Sequence, residues 1–345
     1  MRTLKDFNFK NKRVLVRCDF NVPLGEKGEI SDDFRIKKTI PTIEYLIEKG
    51  AKVILMSHFG RPEGKVVESL RLTPVQNKLM EYLDLSITKA NDCVGKEIED
   101  WINQMQPGEI LLLENLRFYK EEDENDENFA KALSKLGDIF INEAFSVCHR
   151  NHASIIGIPK YLPSGAGFLL EKEISVLTKM IENPERPLVA IIGGKKVETT
   201  KLKLIDDFSA NGYVLLGGLV NKELKEKNLK LKYPQKIVEP IDEIEGKDIG
   251  PETIKLFKEK ISLAKTIFWN GPLGKTNEEK FSKGTEEIAK AIIKSGAFSV
   301  VGGGETVEFV NRIGLGEKFN HLSTGGGAML DFIANGELVG VEALK

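Results

Sequence analysis

Leu188-Val189-Ala190-Ile191-Ile192-Gly193-Gly194 is an apolar run of strand length that stops on paired glycines. The phrase returns at Gly212 to Gly218, Thr266 to Gly271 and Ala297 to Gly304, with a short version before Thr324. Amphipathic segments separate these runs, and strands alternating with helices read as βαβ units of a parallel sheet. A doubly wound α/β domain is therefore predicted over residues 184–329. Each strand closes on glycine: Gly193-Gly194, Gly217-Gly218, Gly271, Gly302-Gly303-Gly304 and Gly325-Gly326-Gly327. Parallel strands carry their carboxyl ends along one edge, so these glycines converge where open α/β sheets bind ligands.

Toward the N-terminus, Leu170, Ile174, Leu177 and Ile181 fall at spacings of four, three and four within Gly167 to Asn183, the stripe of an amphipathic helix. This reads as a connecting helix over residues 167–183. Ahead of it, strand-like Arg13 to Phe20, Lys52 to Ser57, Glu109 to Leu116 and Asp138 to Phe145 alternate with helix-like Ile36 to Lys49, Thr73 to Leu83 and Asn125 to Leu136. The prediction is an α/β protein of two doubly wound parallel-sheet, Rossmann-like domains, the first over residues 1–160, joined by an interdomain helix.

Composition agrees with two cores. The chain has 345 residues, 41% of them hydrophobic and 30% charged. Fifty Lys and Arg against 52 Asp and Glu leave a net charge of −2, with no general attraction to nucleic acid or anionic membranes, so any phosphate binding must be local. Met1 to Lys10 holds four charged residues and no apolar core of a signal peptide, and no apolar stretch exceeds strand length. Cys18, Cys93 and Cys148 are odd in number and lack metal-ligand spacing. A reducing cytoplasm and no structural metal site fit best.

Omitting Cβ at a strand-to-helix turn lets backbone N–H groups and a helix N-terminus approach an anion. One glycine pair reflects only what βα turns prefer, whereas five on one edge suggest a polyphosphate ligand. Gly274-Lys275-Thr276 imitates the end of a phosphate-binding loop, but Trp269 stands where that loop requires glycine, and no strand leads into G-x-G-x-x-G. In the first half, Arg35, Arg61, Arg117 and Arg150 stand near strand ends or turns in a chain with 40 Lys and 10 Arg. A planar guanidinium binds phosphate or carboxylate through two parallel hydrogen bonds. Each alone would pass as a surface residue, but with His58, His149 and His152 they read as a pocket for a small, doubly anionic molecule.

At this point the motifs, in order, resemble the phosphoglycerate kinase family. They are Asp19-Phe20-Asn21-Val22-Pro23, Arg35-Ile36, Ser57-His58-Phe59-Gly60-Arg61-Pro62, Glu114-Asn115-Leu116-Arg117-Phe118 and His149-Arg150-Asn151-His152-Ala153-Ser154. Gly193-Gly194-Lys195-Lys196-Val197, Trp269-Asn270-Gly271-Pro272, Gly302-Gly303-Gly304-Glu305-Thr306 and Ser323-Thr324-Gly325-Gly326-Gly327-Ala328 continue the match over nearly the whole chain.

The resemblance implies reversible phosphoryl transfer between 1,3-bisphosphoglycerate and ADP, giving 3-phosphoglycerate and ATP. It implies a phosphoglycerate site made by Asp19, Asn21, Arg35, His58, Arg61, Arg117 and Arg150. It further implies a site for ATP or ADP with Mg²⁺ made by Gly193, Gly194, Lys196, Gly217, Gly218, Asn270, Pro272, Asn277, Gly303, Gly304, Glu305 and Thr306, with Glu305 beside the metal. Arg35, Lys196 and the N–H groups near Gly303 and Gly326 would neutralise the moving phosphoryl group, after hinge closure brings the ligands together. Residues 330–345 would return to the first domain.

Four departures bear on the nucleotide side. The stretch from Gly218 to Lys247 is short, Glu305 replaces the family's Asp, and Thr200, with Lys201 beside it, replaces a second Lys. Lys275-Thr276-Asn277 replaces a phrase ending in a ribose-binding Glu, and a one-residue slip would put Glu278 there instead. Gly217-Gly218-Leu219-Val220 and Asp248-Ile249-Gly250-Pro251 look like the family's archaeal type, in which some of these positions vary. The rival readings are a non-catalytic phosphoglycerate-binding descendant and another acyl-phosphate kinase.

Overall fold

The computed structural model describes residues 1–195 and 197–345 and divides the chain into two compact units, Met1–Ile174 with Glu337–Lys345, and Ser175–Gly336. The first unit holds β1 (Arg13–Arg17), β2 (Lys52–Met56), β3 (Thr88–Lys89), β4 (Ile110–Leu112), β5 (Ile139–Asn142) and β6 (Ser164–Ala166) in one sheet ordered β3-β4-β2-β1-β5-β6. All its strand pairs are parallel. Val14, Leu15 and Val16 of β1 and Val53, Ile54 and Leu55 of β2 are wholly buried, because helices cover both faces of a parallel sheet. The helices are α1 (Phe34–Glu48), α2 (Thr73–Leu83), α3 (Lys96–Gln104), α4 (Lys120–Asp123) and α5 (Glu127–Ser134).

Helix α6 (Phe168–Glu182) begins in the first unit and ends in the second. Glu143, just past β5, supplies the cap that its own sequence lacks: the Leu169 and Leu170 N–H groups donate to the Glu143 carboxylate at 3.2 and 2.9 Å. The buried line along α6 is Leu170, Glu173, Leu177 and Met180, while Ile181 of the expected stripe is exposed in the last turn. The first unit also extends past residue 160, because β6 pairs with β5 and belongs to its sheet.

The second unit is built alike. Its sheet contains β7 (Leu188–Ile192), β8 (Gly212–Leu216), β9 (Ile237–Val238), β12 (Thr266–Asn270), β13 (Phe298–Gly302) and β14 (His321–Leu322) in the order β14-β13-β12-β7-β8-β9, all parallel. A two-stranded antiparallel hairpin, β10 (Glu243–Ile244) with β11 (Asp248–Ile249), stands apart from it. Helices α7 (Thr199–Asn211), α8 (Gly218–Glu226), α9 (Pro251–Ser262), α10 (Lys283–Ser295), α11 (Gly304–Arg312) and α12 (Gly326–Asn335) complete the unit. In both sheets the chain reverses direction beside the first strand, between β1 and β5 and between β7 and β12, which is where such sheets open a crevice.

The return to the first unit begins at Glu337 rather than at residue 330. Met329 and Phe332 are buried, and Thr200 and Lys203 of α7 bond to Asp331 and to the Ala334 carbonyl, so α12 stays with the second unit. Gly336, in a left-handed conformation, then ends the helix. The last helix, α13 (Val339–Glu342), docks where Gly340 N–H donates to the Cys148 carbonyl at 2.8 Å, with Leu338, Val341 and Leu344 buried.

Candidate active site

At the carboxyl end of β1 the chain turns through Asp19 and Asn21, both fixed by contacts from distant segments. Arg35 of α1 lies 2.9 Å from Asp19 Oδ2 and donates to the Asn21 carbonyl at 2.9 Å. The Asn21 N–H and the Ser146 hydroxyl also donate to Asp19, and His58 Nδ1 stands 3.9 Å away. Burial alone would raise the Asp19 pKa, but Arg35 and the Ser146 and Asn21 donors outweigh it and bring it down to about 2. His58 follows the opposite course: burial, then Arg17, Arg117 and Arg35, holds it well below the ordinary histidine value against the pull of Asp19. A neutral imidazole therefore sits among ionised groups.

A second thread joins Asn21 to Arg117. Gly60 N–H donates to Asn21 Oδ1 at 2.8 Å, and Arg117 Nη1 donates to the Gly60 carbonyl at 3.1 Å. Five of the seven expected acid-site residues, Asp19, Asn21, Arg35, His58 and Arg117, are thus linked. Arg61 and Arg150 are exposed, and among the described residues their guanidinium groups have no hydrogen-bond or ion-pair partner. The supports beneath are Arg17, wholly buried and bonded to Ser154 Oγ at 2.7 Å, and the buried Glu122 that receives Ser154. Arg17 has a legible signal, a cation within the apolar run of β1; Glu122 has none, being one of four acidic residues from 121 to 124.

The second unit's site forms where its sheet reverses. Gly193 N–H donates to the Asn270 carbonyl at 2.8 Å and Gly194 N–H to that of Pro272 at 2.9 Å, so the turns after β7 and β12 lie backbone to backbone. Gly271 has φ +88°, and a Cβ there would overlap the Gly193 carbonyl, which only glycine avoids. Gly303, at φ +92° before α11, lies beside the first residue of α12: a Cβ on Gly326 would stand 2.9 Å from the Gly303 Cα. A Cβ on Gly303 would meet Gly271 N at 3.2 Å, Asn270 Nδ2 at 3.4 Å and Thr306 Oγ1 at 3.6 Å. Both of those side-chain atoms are buried and unpartnered among the described residues. Unsatisfied buried polar atoms beside paired helix N-termini make a cradle suited to an anion.

Next to this cradle lies a cavity of about 290 Å³, lined by Gly194, Gly217, Gly218, Pro272, Asn277 and Glu305 among the expected residues. Gly304 faces open space. Lys196 lies outside the described residues. Asn277 is on the cavity wall, while Glu278 is not among the lining residues and pairs with Lys275 at 3.2 Å. Glu243, Gly246, Lys247 and Asp248 of the β10–β11 hairpin also line the cavity, so the short 218–247 stretch still builds a wall of it. Asp248 anchors that hairpin by accepting Gly284 N–H at 2.8 Å and Ile249 N–H at 2.9 Å, and burial pushes its pKa up to about 6. Phe309 and Arg312 complete the far side; Arg312 lies 5.3 Å over the Phe309 ring and donates to the Thr276 carbonyl. Of these wall residues only Asp248 fell in a phrase quoted from the sequence, and none was expected at the site.

The family model described as phosphoglycerate kinase matches residues 4–234 and 220–336. The chain belongs to the phosphoglycerate kinase family. It is a phosphotransferase of that family, whose reaction passes a phosphoryl group reversibly between 1,3-bisphosphoglycerate and ADP. The chain is 44% identical to the phosphoglycerate kinase of Borrelia garinii subsp. bavariensis, over 100% of this chain and 99% of that protein. It is 43% identical to that of Dictyoglomus turgidum, over 99% and 98%. The crystal structure of phosphoglycerate kinase from Pyrococcus horikoshii superposes with a TM-score of 0.90 at 33% identity, covering 100% of this chain and 98% of that one. The structure of phosphoglycerate kinase from Coxiella burnetii gives 0.81 at 33% identity, covering 99% and 98%. The family match divides within 220–234, inside the short stretch that leads to the hairpin wall.

Proposed function

We propose that this member of the phosphoglycerate kinase family carries out the family reaction with the acid held by the first unit and the magnesium nucleotide by the second. Asp19, Asn21, His58, Arg61, Arg117 and Arg150 bind the phosphoglycerate, and Arg35 serves both that site and the phosphoryl group in transit. Gly193, Gly194, Gly217, Gly218, Asn270, Pro272, Asn277, Gly303, Gly304, Glu305 and Thr306 hold the nucleotide, and Lys196 with the N–H groups near Gly303 and Gly326 receives charge from the transferred group. The observation that carries this reading is the pair of unpartnered buried atoms, Asn270 Nδ2 and Thr306 Oγ1, facing Gly303 at the helix N-termini. Such atoms call for an oxyanion.

Both reacting oxygens, of a carboxylate or acyl phosphate and of a nucleotide phosphate, are anionic near neutral pH, so no general base is needed. The chain's work is to position the partners and to neutralise charge. Asp19, ionised through Arg35, keeps that guanidinium oriented, and neutral His58 offers a donor without adding charge. Among the described residues no group of three or more metal-ligating side chains occurs. Glu305, one of four carboxylates on the cavity wall with Glu243, Asp248 and Glu308, would hold Mg²⁺ shared with substrate phosphates, the usual manner for that ion. When bound, Mg²⁺ neutralises phosphate charge.

The three cysteines are free and buried, which suits a reducing cytoplasm, and among the described residues no helix is long and apolar enough to cross a membrane. The protein is proposed to act there as a monomer on small molecules alone. The deciding experiment supplies 3-phosphoglycerate and MgATP to the purified protein and couples ADP formation to a chromogenic readout. Turnover that requires 3-phosphoglycerate is expected; intact folding and phosphoglycerate binding without turnover would favour the non-catalytic binder.

A further inference from the structure

Between β7 and α7 the chain passes through residues 193–198, a segment that includes Lys195 and Lys196, with Lys201 in the first turn of the helix. The glycine end of the loop is held by backbone: Gly193 and Gly194 donate to the Asn270 and Pro272 carbonyls. Its helix end is held by a side chain from another element. Glu223 of α8 accepts the Val197 N–H at 2.7 Å through Oε2, while its Oε1 receives Lys227 Nζ at 2.6 Å. Val197 is buried, so without Glu223 its N–H must lie unsatisfied or the loop must move.

Three features make this more than a surface contact. A backbone N–H bonded to a carboxylate is among the stronger hydrogen bonds, and the Lys227 contact together with the Val197 N–H keeps Glu223 ionised by lowering its pKa. The N–H in question belongs to the residue that follows Lys196 in sequence. Finally, α8 starts at Gly218 on the wall of the nucleotide cavity, so Glu223 ties the lysine loop to an element that lines the same site. Lys201 Nζ, reaching back to the Gly193 carbonyl at 3.2 Å, lies within the electrostatic reach of Glu223.

We propose that Glu223 is a positioning residue for phosphoryl transfer, holding the Val197 end of the lysine loop so that the loop's ammonium charge meets the nucleotide phosphates in a fixed place. The proposal rests on the reading that Lys196 acts on the transferred group. A loop that is held loosely still binds nucleotide through the glycine turns but stabilises the transition state less, so the effect belongs in kcat.

The test measures kcat, both KM values and the melting temperature for the wild type, Glu223→Ala, Glu223→Gln, Lys227→Ala and Lys196→Met. Alanine favours the helix at this position, so Glu223→Ala keeps the fold. It is expected to lose about tenfold in kcat with the KM for 3-phosphoglycerate unchanged. Glu223→Gln retains an acceptor oxygen for the Val197 N–H and should recover most of the rate, and Lys227→Ala, which removes only the outer ion pair, should keep it. A Glu223→Ala enzyme at full kcat with only a lowered melting temperature overturns the proposal, as does a Gln variant as slow as Ala. If Lys196→Met is disabled while Glu223→Ala is not, the reading of Lys196 stands and the proposal falls. A full-rate Lys196→Met removes that reading and the proposal together.

Discussion

Arg35 and Arg150 carry the same charge, yet they stand in different circumstances. Arg35 is fixed by Asp19 and the Asn21 carbonyl before any ligand arrives; Arg150 is exposed and its guanidinium is unpartnered among the described residues. A preorganised guanidinium is the kind that can act on a transition state, whereas an unheld one contributes ground-state attraction. Arg35→Ala is therefore expected to lower kcat by about 100-fold or more, and Arg150→Ala mainly to raise the KM for 3-phosphoglycerate. Steady-state kinetics of the two variants checks the division, and matching profiles would refute it. A second contrast holds at Asn277 and Glu278. Asn277 is on the cavity wall and Glu278 is engaged with Lys275, which favours the ungapped register. Asn277→Glu should tighten MgADP binding by about tenfold and sharpen discrimination against the 2′-deoxy analogue. Calorimetric titration should find Glu278→Ala close to wild type.

Elements were legible in the sequence in proportion to their length. The five-residue strands β7, β8, β12 and β13 and the helix Thr73–Leu83 announce themselves by apolar runs or helical spacing. Strands of two or three residues such as β3, β6, β9, β10 and β11 are too short to carry a period and depend on neighbours distant in the chain. The same limit hid part of the candidate site: the glycine turns were visible as motifs, but the hairpin wall of Glu243 and Asp248 and the Glu223 anchor exist only through pairing and packing. The turn at Gly271 is where element geometry is least forgiving, because the β7 and β12 turns touch there through backbone alone. Gly271→Ala is expected to destabilise the second unit by at least about 2 kcal/mol and to weaken MgADP binding, while phosphoglycerate binding stays as it was. Chemical denaturation followed by Trp269 fluorescence in a Trp101→Phe background, alongside titration with each ligand, would show the effect confined to one unit.

Taken whole, the molecule holds buried ionisable groups whose pH responses oppose one another. Burial pushes the Glu143 pKa up to about 7 and that of Asp248 up to about 6, so the folded chain binds protons there that the unfolded chain releases. These two groups make stability fall as pH rises, between the usual carboxylate range and those values. His58 and His152 are depressed, the latter to about 4 chiefly through burial and Arg17, so their contribution is lost as pH falls below the ordinary histidine value. Asp19 adds a loss below the ordinary carboxylate range as pH approaches about 2. The Glu143 share of the fall with rising pH should show between about pH 5 and pH 7 as a decline in melting temperature that Glu143→Gln flattens, an effect of a few kcal/mol at most. A decline as steep in the variant as in the wild type would count against Glu143 as its source.

The first unit is interrupted in sequence by the second, since Glu337–Lys345 completes what Met1–Ile174 begins. During vectorial synthesis the half that starts first is therefore finished last. The interior unit can close its sheet while the acid-binding half still waits for Leu338, Val341 and Leu344 to emerge from the ribosome and seat Gly340 against Cys148. A nonsense codon just after Gly336 would spare every residue of the nucleotide half, and its lesion would appear in the half encoded some 160 codons upstream.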